Sequence, residues 1–450
     1  MFIVVGGAGE VGYNIAMSLV NQGHEVAMVD KDPDACRRAE GLDIMVITGN
    51  VASPDILKKA YIESANIFVG VTGSDEVNLL ACAVAKTFNC STVARVNSFD
   101  YINAPVDEDA FSQVGVDIAV CPDLVAATKM ARIMTLPSIL DAEVFADGRV
   151  QVLDARVESS SKVVGNPIRR IKFPRSCNVV AIFRDADIIV PTGDTVFMPQ
   201  DQVVTVLSDP SDIPRIQNLF GNQKKVSPRE TISRVMIVGA TRIGLHLARL
   251  LQDREVSVIL IDKDEEVCEN AAAMLPRVLV LHGRGTDRDL LLDEDIVKTD
   301  AFLATTEQEE FNTLSCLLAK QLGAYRTIAL IDKPGLRNML QEIGVDVAVS
   351  PRQATVSTIL QHAHQADVMS FSVLHTGDAV AYEIRISEKS KIAGKRLKNI
   401  RQFFKSARIG VVIRDRDVMI PRGEFVVQPG DRVVVFTTVT NMKKLESLFK

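Results

Sequence analysis

The sequence predicts an α/β protein made of two tandem Rossmann-like parallel-sheet domains, each followed by a small α+β domain. Three observations predict it. The chain is written twice, and each copy opens with short apolar runs that alternate with helical spans. Each copy then closes with apolar and polar residues in alternation, broken by turn signals.

The repeat runs through ordered segments. "FIVVGGAGEVG" from Phe2 returns as "VMIVGATRIG" from Val235, and "VAMVDKDPD" from Val26 as "VILIDKDEE" from Val258. "NIFVGVTGSDEVNLLACAVAK" from Asn66 returns as "DAFLATTEQEEFNTLSCLLAK" from Asp300, and "GVDIAVCP" from Gly115 as "GVDVAVSP" from Gly344. Later still, "FRDADIIVPTGDTVFMPQDQVVTVL" from Phe183 matches "IRDRDVMIPRGEFVVQPGDRVVVFT" from Ile413. The polar join "GNQKKVSPRET", residues 221–231, reads as a linker. The expected boundaries are 1–136 and 137–222 for the first pair of domains, 223–231 for the linker, then 232–364 and 365–450.

The elements follow in order. Phe2–Val5, Val26–Val29, Ile44–Ile47, Ile67–Val71, Thr92–Val96 and Ile118–Val120 are apolar runs of strand length separated by helical spans. That rhythm predicts βαβ units and a parallel sheet covered on both faces. After about residue 134, "DAEVFADGRVQVLDARV" and its successors alternate around Asp-Gly and Pro-Thr-Gly-Asp turns, which predicts antiparallel strands. The turns at Pro191–Asp194 and Pro421–Glu424 read as hairpin loops. Each copy ends on a helix-like tail, "IPRIQNLF" or "MKKLESLF".

Composition narrows the function. With 47% apolar and 24% charged residues, the chain is a globular and not a disordered one. A net charge of −6 gives no general attraction to nucleic acid or acidic lipid, so no nucleic-acid partner is expected. No apolar run reaches the roughly 18 residues that cross a bilayer, and "MFIVVGG" enters a strand without a signal-peptide pattern. The seven cysteines are scattered and never spaced C-x-x-C, which predicts reduced thiols, a cytoplasmic setting and no metal site.

Gly7, Gly9 and Gly12 form G-x-G-x-x-G at the end of an apolar run and before a helical span. The first glycine permits the tight turn, the second the approach of backbone to a pyrophosphate, and the third close helix packing. Asp30, eighteen residues after Gly12, ends the next strand, where a carboxylate accepts from ribose hydroxyls and repels a 2′-phosphate. NAD is therefore favoured over NADP. Glu10, Val11 and Lys31 belong to the same two turns. Gly49, Asn50, Val71, Thr72, Gly73 and Arg95 join them as candidate contacts, because ligands of open α/β sheets collect at strand carboxyl ends. Thr72 fits equally a cap for the helix starting near Asp75. Arg95 interrupts an apolar strand and must either extend to solvent or meet an anion.

The second candidate set is Gly239, Thr241, Arg242, Ile243, Gly244, Asp262, Lys263, Gly283, Thr305 and Thr306. Thr241 stands where the first copy has Gly9, Arg242 where it has Glu10, and Leu330 where it has Arg95. A branched side chain at the pyrophosphate position weakens the dinucleotide reading there. A mononucleotide such as ADP or ATP becomes an alternative to NAD, and a pocket kept only for its shape is another.

No catalytic residue is assigned. A dehydrogenase needs an acid or base beside the nicotinamide, and the histidines offer none. His24 and His246 read as exposed or packing residues, and His362 and His364 are two apart on a helical span and do not share a face. Motifs of hydrolases and metalloproteases are absent. An NAD-dependent oxidoreductase and a nucleotide-dependent scaffold stay open as alternatives.

The ordered motifs "GAGEVG", "VDKD", "ITGNVASPDIL", "VGVTGSDEVNLLA" and "ARVN", with the later "VPTG" and "IPRG" turns, are similar to the RCK (or KTN) regulators of potassium transport. The resemblance covers nearly the whole chain. It implies two RCK-N and two RCK-C domains and NAD or NADH in the first RCK-N domain. It also implies a homotetrameric gating ring and a membrane-embedded potassium-transporting partner of the TrkH or TrkG type, which places the chain peripherally on the inner membrane face. Gly7, Gly9, Gly12 and Asp30 match the family's dinucleotide motif residue by residue, whereas Thr241 and Leu330 depart from it.

Overall fold

The computed structural model describes residues 1–21, 23–98, 111, 113–134, 139–146, 148–184, 187–221, 232–254, 256–333, 336–352, 368–374, 379–404, 407–438, 441, 445 and 448–449. The expected linker 223–231, His362 and His364, and most of the second tail lie outside the described residues. The chain divides into two compact units, and not at the repeat boundary. One comprises Met1–Val125 with Pro351–Val373, the other Ala126–Ser350 with Leu374–Lys450.

In the first unit, strands β1 (Phe2–Gly6), β2 (Glu25–Asp30), β3 (Met45–Thr48), β4 (Ile67–Gly70), β5 (Ser91–Arg95) and β6 (Ile118–Val120) form one sheet in the order β3-β2-β1-β4-β5-β6. Every pairing is parallel, with Val4 opposite Ala27 and Phe68. The strands are short and β-branched, and β1 and β4 are buried almost throughout, as a sheet covered on both faces requires. Val4, Ala27, Val29, Leu57, Phe68, Ala81, Cys82 and Ala94 share one core. The order reverses between β1 and β4, which opens a crevice at their carboxyl ends.

The second unit contains the same sheet again: β12 (Arg234–Val238), β13 (Ser257–Asp262), β14 (Leu279–His282), β15 (Ala301–Ala304), β16 (Thr327–Leu330) and β17 (Val347–Val349), in the order β14-β13-β12-β15-β16-β17. Its core takes in Ala126, Ala127, Met130, Ala131, Ile133 and Met134, from the helix Pro122–Met134, beside Val235, Ile237, Leu247 and Leu260. Arg326, fully buried ahead of β16, donates from Nη2 to the carbonyl of Ile139. Burial pushes its pKa down to about 10, against the opposing pull of Asp346.

The small sheets are antiparallel, as the alternating pattern predicts. β7 (Ile139–Phe145), β8 (Val150–Arg156), β9 (Cys177–Arg184), β10 (Asp187–Ile189) and β11 (Gln202–Leu207) run in the order β10-β9-β11-β8-β7. After β18 (Val368–Leu374) in the chain, β19 (Ala379–Arg385), β20 (Ala407–Arg414), β21 (Asp417–Met419) and β22 (Arg432–Thr438) make the second, in the order β19-β22-β20-β21. A bidentate pair recurs in both: Arg184 donates to buried Asp201, and Arg414 to buried Asp431. Phe145, Val152, Phe183 and Val206 share a core with Ala381, Val411, Val434 and Phe436, so the two small sheets pack face to face. Asn178 donates across this interface to the carbonyl of Gly410 at 3.0 Å. Fully buried Glu383 accepts from the backbone N–H of Ala146 at 3.1 Å and from Arg432.

Among the described residues no helix is long and apolar enough to cross a membrane. All seven cysteines are free and buried.

Candidate functional site

At the first crevice the three glycines are held for three different reasons. Gly7 has φ +122°, and a Cβ there would lie 2.9 Å from the backbone of Val71 and Thr72. A Cβ on Gly12 would lie 1.8 Å from the carbonyl oxygen of Gly7. Both positions are closed by the protein itself. A Cβ on Gly9 meets no protein atom within 4 Å. Packing therefore does not require glycine there, and the surface it leaves bare is backbone at the start of the helix Glu10–Asn21.

Asp30 reaches back to this loop. Its Oδ2 accepts from Ala8 N–H at 2.5 Å and its Oδ1 from Asp32 N–H at 2.9 Å. Each oxygen keeps a lone pair for a further donor. Asp262 repeats the arrangement, accepting from Ala240 at 2.7 Å and Asp264 at 3.1 Å. The carboxylate thus braces the glycine loop in both copies.

The second loop differs where the sequence differs. Gly239 has φ +100° and Gly244 sits under the Gly239 carbonyl, as in the first copy. Thr241 caps the helix Arg242–Gln252: its hydroxyl donates to the Thr305 carbonyl at 2.8 Å and accepts from Gly244 N–H at 3.3 Å. Thr305 in turn donates to the carbonyls of Val238 and Gly239. One of the free N–H groups at the helix start is thereby satisfied within the protein. A cleft of about 520 Å³ stands over it, lined in part by Thr241, Asp262, Lys263, Gly283, Thr306 and Phe311.

Four expected contacts have another explanation. Thr72 does not cap the following helix; Ser74 does, accepting from Val77 N–H. Thr72 instead donates from N–H and hydroxyl to Asn78 Oδ1, at 2.8 and 2.7 Å. A Cβ on Gly49 would lie 2.7 Å from the end of the Ile56 side chain, and one on Gly283 2.5 Å from that of Leu290. Asn50 uses its side chain in its own turn, accepting from Ala52 N–H. Gly73 is open above its backbone, and Lys31 and Lys263 are exposed just past the ends of β2 and β13.

Arg95 is largely buried. Its Nε donates to Asn97 at 3.1 Å, and burial lowers its pKa against the attraction of Asp123 and Asp75. Glu10 forms an ion pair with Arg352, a residue of the second copy that belongs to the first compact unit. Val11 and Ile243 carry no polar side chain and contribute backbone at the helix start. Of the described histidines, His282 lies 3.0 Å from the Lys263 carbonyl, and His246 has its pKa lowered by burial.

Family models match almost end to end. The TrkA-N domain matches residues 3–122 and 235–351, and the TrkA-C domain residues 152–221 and 381–450. The chain belongs to the TrkA-N/TrkA-C domain family. It is 39% identical over 459 residues to Trk system potassium uptake protein TrkA homolog 1 of Methanosarcina mazei, with 100% of both chains covered. It is 32% identical over 469 residues to Trk system potassium uptake protein TrkA of Azorhizobium caulinodans, covering 100% of this chain and 99% of that one. The fold is shared with the GsuK channel bound to NAD, at a TM-score of 0.59 and 19% identity, covering 100% of this chain and 78% of that chain.

Both TrkA-N domains use a residue that the sequence did not single out. Asn78, fully buried, donates to the carbonyls of Thr72 and Arg95 while accepting from Thr72, which ties the ends of β4 and β5 together. Asn312 repeats this with Thr306 and Leu330. The signal was available, because Asn stands at the same place of both copies in a helix otherwise facing the core. Arg352 gave no such signal. Its partner is 342 positions away.

Proposed function

We propose that this chain is a nucleotide-sensing regulatory subunit of a membrane potassium transporter, with NAD or NADH in its first TrkA-N domain. The observation that carries the reading is the bare backbone at Gly9, which nothing in the protein's own packing requires. The Asp30 carboxylate beside it still has acceptor capacity for a ribose. The named relatives are potassium uptake proteins, and the shared fold is that of a channel whose NAD complex is known.

In this reading the site residues are Gly7, Gly9, Glu10, Val11, Gly12, Asp30, Lys31, Gly49, Asn50, Val71, Thr72, Gly73 and Arg95. The second domain takes ADP or ATP, or NAD, around Thr241, Arg242, Asp262 and Thr306, because its helix end is capped by Thr241. The four domains run 1–136, 137–222, 232–364 and 365–450. The subunit carries out no catalysis. It assembles as a homotetrameric ring on a TrkH- or TrkG-type partner at the inner membrane face, and the nucleotide acts through its differential affinity for two arrangements of that ring. A coupling of about 1–3 kcal/mol suffices.

The test is calorimetric titration with NADH and then ADP, counting sites per chain, alongside nucleotide-dependent potassium flux through the partner. One NADH site with ADP bound elsewhere supports the reading. Absence of binding by either nucleotide overturns it.

A further inference from the structure

We propose that Arg352 is a phosphate ligand of the first nucleotide site, supplied by the second copy of the repeat, and that Glu10 competes with the nucleotide for it. The inference rests on the nucleotide reading above and adds a residue that no dinucleotide motif contains.

Arg352 lies three residues beyond β17, at the point where the chain has left the second parallel sheet and entered the first compact unit. Its guanidinium pairs with the carboxylate of Glu10, the first residue of the helix whose N-terminal amides face the bare backbone at Gly9. The two partners are unequal. The Glu10 side chain is 73% exposed and that of Arg352 only 25%. A solvated carboxylate of that kind holds a guanidinium weakly. A pyrophosphate on the helix N-terminus offers more charge and more acceptor oxygens, which suit a planar fork of donors.

A second cation is near. Arg95 feels the positive charge of Arg352, which adds to the burial that lowers its pKa. The Glu10–Arg352 ion pair places one guanidinium at the start of a helix, where an anion is favoured. Asp123 and Asp75 attract Arg95 in turn. The second copy cannot reproduce the device by homology. Where the first loop has Glu10 the second has Arg242, and the residue matching Arg352 in the first copy is Asp123. The charges are reversed at both positions.

A phosphate held by Arg352 is also held by the chain that leaves β17. Occupancy of the first site is thereby linked covalently, over three residues, to the last strand of the second parallel sheet.

The experiment titrates the full-length chain with NADH in four forms: wild type, Arg352→Ala, Glu10→Gln and the double variant. Glu10 is well exposed, so Glu10→Gln leaves folding intact even where Arg352→Ala disturbs it. The expected result is affinity lowered about tenfold by Arg352→Ala, the loss typical of one hydrogen bond to a charged group. Glu10→Gln raises affinity, and the gain shrinks by at least half when Arg352 is already alanine. Unchanged affinity in Arg352→Ala, or a Glu10→Gln gain of equal size in both backgrounds, overturns the proposal while leaving the nucleotide reading in place. Failure of the wild-type chain to bind NADH overturns both.

Discussion

The hydroxyl of Thr241 donates to the carbonyl of Thr305 at 2.8 Å, and this bond ties the start of the helix Arg242–Gln252 to the end of the neighbouring strand β15. The first copy has Gly9 and Val71 at these positions and cannot make it. Thr241 therefore puts a side chain where Gly9 leaves backbone bare.

Gly9→Thr is expected to abolish NADH binding at the first site, by at least tenfold in affinity, with little change in melting temperature. The added Cβ meets no protein atom within 4 Å, so the cost falls on the ligand. Calorimetry with thermal denaturation of the same sample separates the two effects.

Thr241→Val is expected to lower stability by about 1 kcal/mol, the usual cost of a lost N-cap. Urea denaturation measures it. A destabilisation below about 0.3 kcal/mol would show that the cap is redundant.

Asp30→Ala removes the acceptor of Ala8 and Asp32 as well as the ribose contact. We expect loss of NADH binding together with a stability loss of about 1–2 kcal/mol. Asp30→Asn keeps one carbonyl acceptor and should recover part of the stability but little of the binding. Equal recovery of both would show that the carboxylate serves the loop alone.

Asn78→Ala and Asn312→Ala each strand several buried backbone groups at the ends of two strands. A loss of about 2–3 kcal/mol is expected for each, from unsatisfied buried polar groups. Urea denaturation of the two variants checks it. A loss under 1 kcal/mol in either would mean the loop re-forms its bonds.

Burial raises the pKa of the Cys90 thiol to about 11 and that of Cys177 to about 12. A thiol kept neutral in the folded chain but free to ionise in the unfolded one contributes stability that is full below its ordinary pKa. That contribution is lost as pH rises toward 11 for Cys90 and 12 for Cys177. Stability should therefore fall between about pH 9 and 11, by up to ~1.4 kcal/mol per pH unit for each such thiol. Cys90→Ala and Cys177→Ala should each flatten that slope, measured by denaturation across the range.

The parallel sheets were legible because their strands are short, apolar and repeated. Phe2–Val5 and Ile118–Val120 fall almost on β1 and β6. The glycine loop and Asp30 were legible because backbone geometry demands particular residue types at fixed offsets. Gly49 was readable only as a glycine, since nothing local says that its missing side chain makes room for Ile56. Thr72 was ambiguous because a threonine before a helix suits a cap, and the asparagine that claims it lies a turn and a half further on. Arg352 was hidden for a different reason. Its pairing with Glu10 depends on where a segment of the second copy is placed in space, which local pattern does not encode.

The face-to-face packing of the two small sheets has a consequence for how the repeat has changed. Two separate copies meeting through the same face must stay self-complementary, since each residue meets its own equivalent environment. Joined in one chain, the two faces meet at a high effective concentration fixed by the tether, and the symmetry requirement lapses. Glu383 with Arg432 now stands where the first sheet has Asp154 with Gln202, so one side of the interface carries a longer acid and a cation that the other lacks. A tethered pair of this kind leaves each half free to change without the other.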